Sequence, residues 1–539
     1  MTEDKKQWIQ SHADLVASLI TLLGFLARLW AASGVFLNPD EALHFRLANQ
    51  LSLALAYKAS LTAAHPPLLT FLLYFWRALG TSELWLRLPS VIAGTVFCWM
   101  FYEWLSKAAG ELTGLIGLLL VALLPTPILM AAEIRQYSLL LAFLASAVYF
   151  LDESFRENST LRMTAFSVCL YLAMLSHYSA FWFAIALGLY ALFRIFTERP
   201  PAKLVAAWAI GQLGGLALAV FFYETHLSKL GVGDSRTALQ GYMSDFYLRR
   251  SFFDRAHDNP LTFLVGHTFG VFQYLCAQLA VGDVLGLFFI AGVVLLLCGK
   301  NLAQNRISAR RLGLFVFFSF AVAGSAALAH VYPYGGTRHV AFLIIPAVAG
   351  ASVAMARLAA WKWASGVGIA ALVIIACLAF ANPRRPTMSR TDQSRKNMAA
   401  AMDFVANNVA PSDLIFVDYQ TDLILGHYLC RQRPISFETS PARFEQFSCG
   451  ERHIISADYK SEWMFWADNF AKDWRQFVQT YNLKPGQSVW IFQAGWGVDL
   501  PADLQKHFAE FRDLRFTSFG RNVKIFRMTV GQPMPAVAP

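Results

Sequence analysis

The chain has 539 residues, of which 56% are hydrophobic, 14% aromatic and only 15% charged, with a mean hydropathy of +0.43. Soluble domains carry about 25% charged residues, so this composition excludes an ordinary soluble enzyme and predicts a polytopic α-helical membrane protein. The formal net charge of +10 does not indicate nucleic acid as a partner, because the basic residues are spread over short loops between apolar runs. There they read as topology signals, with some preference for anionic lipid head groups.

The first apolar run, 13–36, is longer than a signal-peptide core and reads as an uncleaved span, with Lys5 and Lys6 held in the cytoplasm. A long outer loop, 37–83, follows. It opens Asn38-Pro39-Asp40-Glu41 and contains an amphipathic stretch, 42–57, then His65-Pro66-Pro67-Leu68 and an aromatic-rich stretch, 67–79. Both stretches are expected to lie along the outer interface. Further spans are expected at 84–106, 111–131, 135–151, 161–177, 178–196 and 203–226. A second long outer loop, 227–282, has an apolar second half interrupted by His267, Gln273 and Gln278, which reads as juxtamembrane or re-entrant. Spans at 283–299, 312–331, 339–356 and 361–380 bring the total to about eleven. With the N-terminus inside, Lys107, Arg156, Arg162, Arg194, Arg199, Lys300, Arg306, Arg310, Arg311 and Arg357 all fall in inner loops, as the distribution of basic residues requires.

The composition changes at Asn382-Pro383-Arg384-Arg385-Pro386. From there on, alternating strand and helix patterns predict a small extracytoplasmic α/β domain, 383–539, after a membrane domain, 1–382. An apolar run stands at 414–417, strands are expected near 489–492 and 523–528, and helices at 421–430 and 462–481. The seven cysteines show no zinc spacing. In an extracytoplasmic tail, Cys430 and Cys449 could form a disulfide.

Adjacent carboxylates after a proline can be simple first-turn acids that favour the helix dipole. Asp40 and Glu41 have companions, however: Glu133-Ile134-Arg135-Gln136-Tyr137, His177-Tyr178 and Tyr332-Pro333-Tyr334-Gly335-Gly336-Thr337-Arg338-His339, all predicted on the outer side. Arg135, Arg338 and His339 are candidates for a phosphate clamp, since guanidinium binds phosphate in bidentate fashion and stays charged at an interface. His65, Glu133, Tyr137, His177 and Tyr178 could line a substrate pocket. A divalent cation held by such histidines with Glu41 or Glu133 is conceivable, but they carry no ligand-spacing signal.

The Asp40-Glu41 pair, His65-Pro66-Pro67-Leu68, Arg87-Leu88-Pro89-Ser90 at the next span, the Glu133–Tyr137 motif and the His177-Tyr178 turn together resemble the GT-C superfamily of integral-membrane glycosyltransferases. The likeness is to the branch of protein O-mannosyltransferases and lipid A aminoarabinose transferases. The resemblance implies a GT-C-like fold and transfer of a sugar from a polyprenyl-phosphate donor to a glycolipid, polysaccharide or protein acceptor at the outer face of a bacterial inner membrane. It places Asp40 as the catalytic residue, with Glu41 beside it. A single inverting displacement needs a base for the acceptor hydroxyl and little acid help for a phosphate leaving group, which agrees. The sequence departs from eukaryotic protein mannosyltransferases in leaving no room for their large inserted β-trefoil domain, so a glycolipid or polysaccharide acceptor is expected at least as much as a protein. The competing readings are a lipid-linked glycan transporter, which would put charges such as Arg28 to use near the bilayer midplane, and a tethered binding protein whose tail is the functional part.

Overall fold

The computed structural model describes residues 3–228, 248–299, 309–360, 392–430, 444–457, 463–497 and 499–531. Helix α1 (Glu3–Ala32) is followed by three short helices, α2 (Pro39–Ala48), α3 (Leu53–Ser60) and α4 (Leu68–Trp76). Next come α5 (Glu83–Ala109) and the pair α6 (Glu111–Leu123) and α7 (Pro125–Ala131), then α8 (Tyr137–Glu157), α9 (Thr160–Ser176), α10 (Ala180–Glu198) and α11 (Ala202–Phe222). After the second long loop come α12 (Pro260–Cys276), α13 (Leu279–Cys298), α14 (Ala309–Leu328) and α15 (Ile344–Ala360).

Eight helices in the described residues are long and apolar enough to cross a membrane, or nine if the α6–α7 pair, bent by 59°, is one span. The chain is a multi-pass membrane protein. The expected span 161–177 is helix α9, which at 17 residues is shorter than a full span, and the expected span 361–380 and the junction 382–386 lie outside the described residues. The apolar stretch 261–281 is α12, packed tightly on α13: a side chain at Gly282 would meet the Gln273 backbone at 2.3 Å.

The contacts divide the chain into two compact units, one of Met1–Ala32, Leu61–Leu69 and Arg87–Arg384, the other of Ser33–Ser60, Thr70–Leu86 and Arg385–Pro539. The first outer loop therefore clusters largely with the C-terminal residues, whereas the sequence places the domain division at residue 382.

In the first unit, two arginines within or beside apolar helices are fully buried and act as helix caps. The α6–α7 break at Leu124-Pro125 follows from proline, which has no N–H for the preceding turn and clashes with it. Arg28 of α1 donates to the carbonyls of Val121 (2.8 Å) and Ala122 (3.0 Å) at that break, and to Gly24 of its own helix (2.9 Å). Arg87 of α5 donates to the carbonyl of Ala32, the last residue of α1, at 3.0 Å. A cation at a helix C-terminus satisfies orphan carbonyls and meets the negative end of the dipole. At the other end of the bundle, the basic residues expected in inner loops find carboxylates. Asp152 accepts from Arg194 (2.7 Å), Trp104 (2.8 Å) and Tyr190 (2.9 Å), and Glu153 pairs with Arg156 and Arg162. These groups tie α5, α8, α9 and α10 together.

The second unit contains a six-stranded sheet, ordered β2-β3-β1-β4-β6-β5, of β1 (Leu414–Val417), β2 (Phe444–Cys449), β3 (Arg452–Ala457), β4 (Ser488–Ala494), β5 (Phe516–Ser518) and β6 (Val523–Thr529). β1 runs parallel to β3 and β4, and the outer pairs are antiparallel. The helices of this part are α16 (Arg395–Asn408), α17 (Tyr419–Tyr428), α18 (Ala467–Thr480) and α19 (Leu500–His507). Phe470, Trp474 and Phe477 recur at helical spacing and give α18 one apolar face. That face covers Phe416, Ile455, Val489 and Ile491 of the sheet. Cys430, just after α17, forms a disulfide with Cys449 at the end of β2, with Cα atoms 4.5 Å apart.

Candidate functional site

Asp40 and Glu41 occupy the first turn of α2 and have different environments. Asn38 is the N-cap: its side chain accepts from the Glu41 N–H at 3.0 Å, and the Glu41 carboxylate accepts from the Asn38 N–H at 3.0 Å. This reciprocal capping box uses Glu41, which is fully buried, to close its own helix, whereas Asp40 is half-exposed. The Ala42–Tyr57 stretch is not one continuous amphipathic helix. The chain breaks between α2 and α3, and α2 is buried on nearly every side, including His44, Phe45 and Arg46. Its side chains meet partners far along the chain: Arg46 pairs with Asp422 at 3.0 Å, and Phe45 packs edge-on against His427.

The first unit gathers the remaining candidates from four separate segments. His177 is the hub. Its ring lies 5.1 Å from that of Tyr137, 5.8 Å from His65 and 6.4 Å from His339. The Cζ atom of Arg135 stands 5.6 Å from the Tyr137 ring, and the Tyr332 hydroxyl donates to the His339 carbonyl at 2.9 Å. Burial first, then the charges of Arg135 and Arg338, push the His177 pKa down to about 3, so the ring is neutral at ordinary pH. The Ser179 N–H donates to His177 Nδ1 at 3.1 Å, and the Ser179 hydroxyl lies 2.7 Å from the same atom. An Nδ1 that accepts leaves Nε2 as the N–H donor. Two guanidinium groups and a neutral imidazole donor form an environment suited to an anion.

Gln136 and Ser179 were not singled out from sequence, although both adjoin quoted motifs. The amide of Gln136 reaches His65 Nδ1 at 3.0 Å, and Ser179 sets the His177 tautomer. Ser90 also supports the cluster, donating to the Arg135 carbonyl at 3.2 Å. Glu133, half-buried, turns the chain: its carbonyl accepts from the Arg135 N–H at 2.8 Å. Tyr178 faces away from the hub toward α11, where its hydroxyl bonds His226 Nδ1, and His226 Nε2 lies 2.8 Å from the carbonyl of Ala63. Gly335 and Gly336 are used in packing: a Cβ at Gly335, where φ is +111°, would meet His267 at 2.7 Å, and one at Gly336 would meet the Gly270 carbonyl at 2.7 Å. Both glycines let the turn before Arg338 sit against α12. Among the described residues, no three His, Cys, Asp or Glu side chains are grouped so as to hold a metal ion.

The family model for dolichyl-phosphate-mannose-protein mannosyltransferase matches residues 64–223. None of the curated proteins matches the chain by sequence. Among solved structures, the chain resembles ArnT from Cupriavidus metallidurans bound to undecaprenyl phosphate, with TM-score 0.52 and 11% identity over 96% of this chain and 99% of that one. The apo form of the same protein matches with TM-score 0.52 and 12% identity, over 99% and 100% of the two chains. An oligosaccharyltransferase from Archaeoglobus fulgidus, tethered to an acceptor peptide, matches with TM-score 0.52 and 10% identity over 90% of this chain and 70% of that one. The fold is like that of ArnT and of the archaeal oligosaccharyltransferase.

Proposed function

We propose that the chain is a membrane glycosyltransferase that moves a sugar from a polyprenyl-phosphate-linked donor to an acceptor outside the cytoplasm, in a bacterial inner membrane with the C-terminal domain on the outer side. The observation that carries this reading is the cluster of Arg135, Arg338, His177 and Tyr137, drawn from separate segments into one cationic, donor-rich place. The likeness to an ArnT that binds undecaprenyl phosphate supports a prenyl-phosphate donor, and the match to the mannosyltransferase family model supports sugar transfer. The Cys430–Cys449 disulfide supports an extracytoplasmic tail, since such bonds persist in oxidising compartments.

In this reading Asp40 is the general base. Its carboxylate takes the proton of the acceptor hydroxyl as the oxygen attacks the anomeric carbon, the bond to the phosphate oxygen breaks, and configuration inverts. The phosphate leaves as a stable anion, and its charge is met by Arg135 and Arg338 with the His177 Nε2–H as a neutral donor. His65 and His339 lie against His177 and line the same place. Glu41 contributes by closing the helix that presents Asp40. The acceptor is a glycolipid, polysaccharide or protein.

The transporter reading relied on buried charge within the spans, and Arg28 is the relevant residue. It is committed to main-chain carbonyls at a helix break, which favours a structural role for it. The test is mass spectrometry of lipid-linked sugars and surface glycans in cells carrying the wild-type chain, Asp40→Asn, or a deletion. Loss of one sugar modification in both mutants, with accumulation of the prenyl-linked donor, is expected. Full rescue of the deletion by Asp40→Asn would overturn the assignment of the base.

A further inference from the structure

The C-terminal sheet has a topological switch point. From β1 the chain passes through α17 and the antiparallel edge strand β2 to β3 on one side, and from β3 it returns through α18 to β4 on the other side of β1. In open α/β sheets a ligand ordinarily sits outside the carboxyl ends of the strands at such a point. Here those ends are Val417-Asp418 and Ala494-Gly495, and they are already occupied. Thr421 bridges them: its hydroxyl accepts from the Ala494 N–H at 3.0 Å. Gln420 spans the same gap, its amide group accepting from the Trp496 N–H and donating to the Trp496 carbonyl, both at 3.2 Å. Against this edge lies Pro39, the first residue of α2: a Cβ at Gly495, where φ is +128°, would come within 3.0 Å of the Pro39 ring.

Three further contacts hold the same segment. Arg46, near the end of α2, pairs with Asp422 at 3.0 Å, and both side chains are buried. The Tyr428 hydroxyl accepts from the Leu37 N–H at 2.9 Å and donates to Glu83 at 3.0 Å. Before α2, the main chain of Gly34–Phe36 is stitched to Gln393–Arg395: Phe36 N–H donates to the Gln393 carbonyl and Arg395 N–H to the Gly34 carbonyl, both at 2.9 Å. The helix carrying Asp40 is thus gripped at its start by Gly495 and Tyr428 and near its end by Asp422.

We propose that the C-terminal domain holds the Asp40-bearing helix α2 as an internal ligand at its switch point, with Asp422, Tyr428 and Gly495 as positioning residues for sugar transfer. The proposal rests on the assignment of Asp40 as base. It explains the domain's position in the chain without giving it chemistry of its own: its ligand edge sets where a carboxylate stands. A displacement of about 1 Å at a reacting group can cost about 100-fold in rate, so a clamp of this kind affects turnover.

The experiment uses the full chain in lipid nanodiscs for hydrogen–deuterium exchange, and cells for glycan mass spectrometry normalised to folded protein. Asp422→Asn leaves the Arg46 charge buried without its carboxylate. Exchange over residues 39–48 is expected to quicken by roughly 100-fold, on the scale of breaking a buried ion pair, while exchange over β1, β3 and β4 is unchanged. The sugar modification should fall at least about tenfold, and Asp422→Glu should restore most of it. If Asp422→Asn does not accumulate, Tyr428→Phe, which removes the hydroxyl that bonds the Leu37 N–H and Glu83, carries the test with the same expectations. Unchanged exchange over 39–48, or faster exchange with wild-type transfer, overturns the proposal. Asp40→Asn separates the two readings: it should abolish transfer with normal exchange over 39–48. Wild-type transfer by that variant removes the base assignment, while the exchange result still judges the clamp.

Discussion

Replacing Arg28 with methionine tests how the helix break before Arg135 is held. Arg28 is fully buried and makes three hydrogen bonds to main-chain carbonyls, at 2.8, 2.9 and 3.0 Å. Hydrogen bonds to a charged group contribute about 1.5–3 kcal/mol each, which gives roughly 4–9 kcal/mol before the cost of burying the charge is set against it. Methionine fills similar space, removes that burial cost, and leaves the Val121 and Ala122 carbonyls without this donor. An orphaned buried group costs about 1–3 kcal/mol, so two of them put the net loss near 3 kcal/mol, about 150-fold in the unfolding equilibrium. The assay is unfolding of the purified protein in mixed micelles of increasing SDS content, followed by tryptophan fluorescence, beside the glycan readout. Arg28→Met should unfold at distinctly lower SDS and show reduced transfer, because α7 leads directly into the Arg135 turn. Arg28→Lys, with one point charge in place of the guanidinium fork, should be intermediate. Wild-type stability in Arg28→Met combined with complete loss of function would refute this argument and favour a transport role for the charge.

The two adjacent carboxylates should separate experimentally. Glu41→Gln keeps an acceptor for the Asn38 N–H and should retain most transfer, whereas Glu41→Ala should lose about 1 kcal/mol of stability with the cap, both read by the same unfolding and glycan assays. Arg338→Lys, which loses bidentate geometry but keeps charge, should raise the donor concentration needed for half-maximal transfer about tenfold; an unchanged value would remove Arg338 from the clamp. Burial raises the Asp418 pKa to about 6 against the hydrogen bonds it accepts. In the folded protein it therefore holds its proton at pH values where the unfolded chain has released it, and the resulting stability, about 1.4 kcal/mol per pH unit, falls as pH rises from about 4 to 6. Asp418→Asn, which can still cap α17, should flatten that fall when the unfolding of wild type and variant is compared across this range.

Local patterns carried a large part of the fold. The apolar runs located most of the long helices, and the apolar run 414–417 coincides with β1, because a short apolar run bounded by polar residues is a local signal. The cysteine pair in the tail also formed, 19 residues apart in sequence. The strands β2, β3 and β5 of the C-terminal sheet were not anticipated, since sheet pairing depends on neighbours that sequence does not name. At the site, His177 and Arg135 were chosen for residue type and position. Their supports, Gln136 and Ser179, are ordinary polar residues whose use appears only once His65 and His177 are near them.

The sequence by itself determined the membrane class, the places of most long apolar helices and the chemical types available at their ends, because hydropathy and charge act on each segment independently of its partners. Tertiary structure alone decided which of two neighbouring carboxylates caps its helix, which arginines serve as caps, and that Arg46 meets a carboxylate 376 residues further on. Those outcomes depend on which groups are brought together out of water, where a buried charge must find a partner.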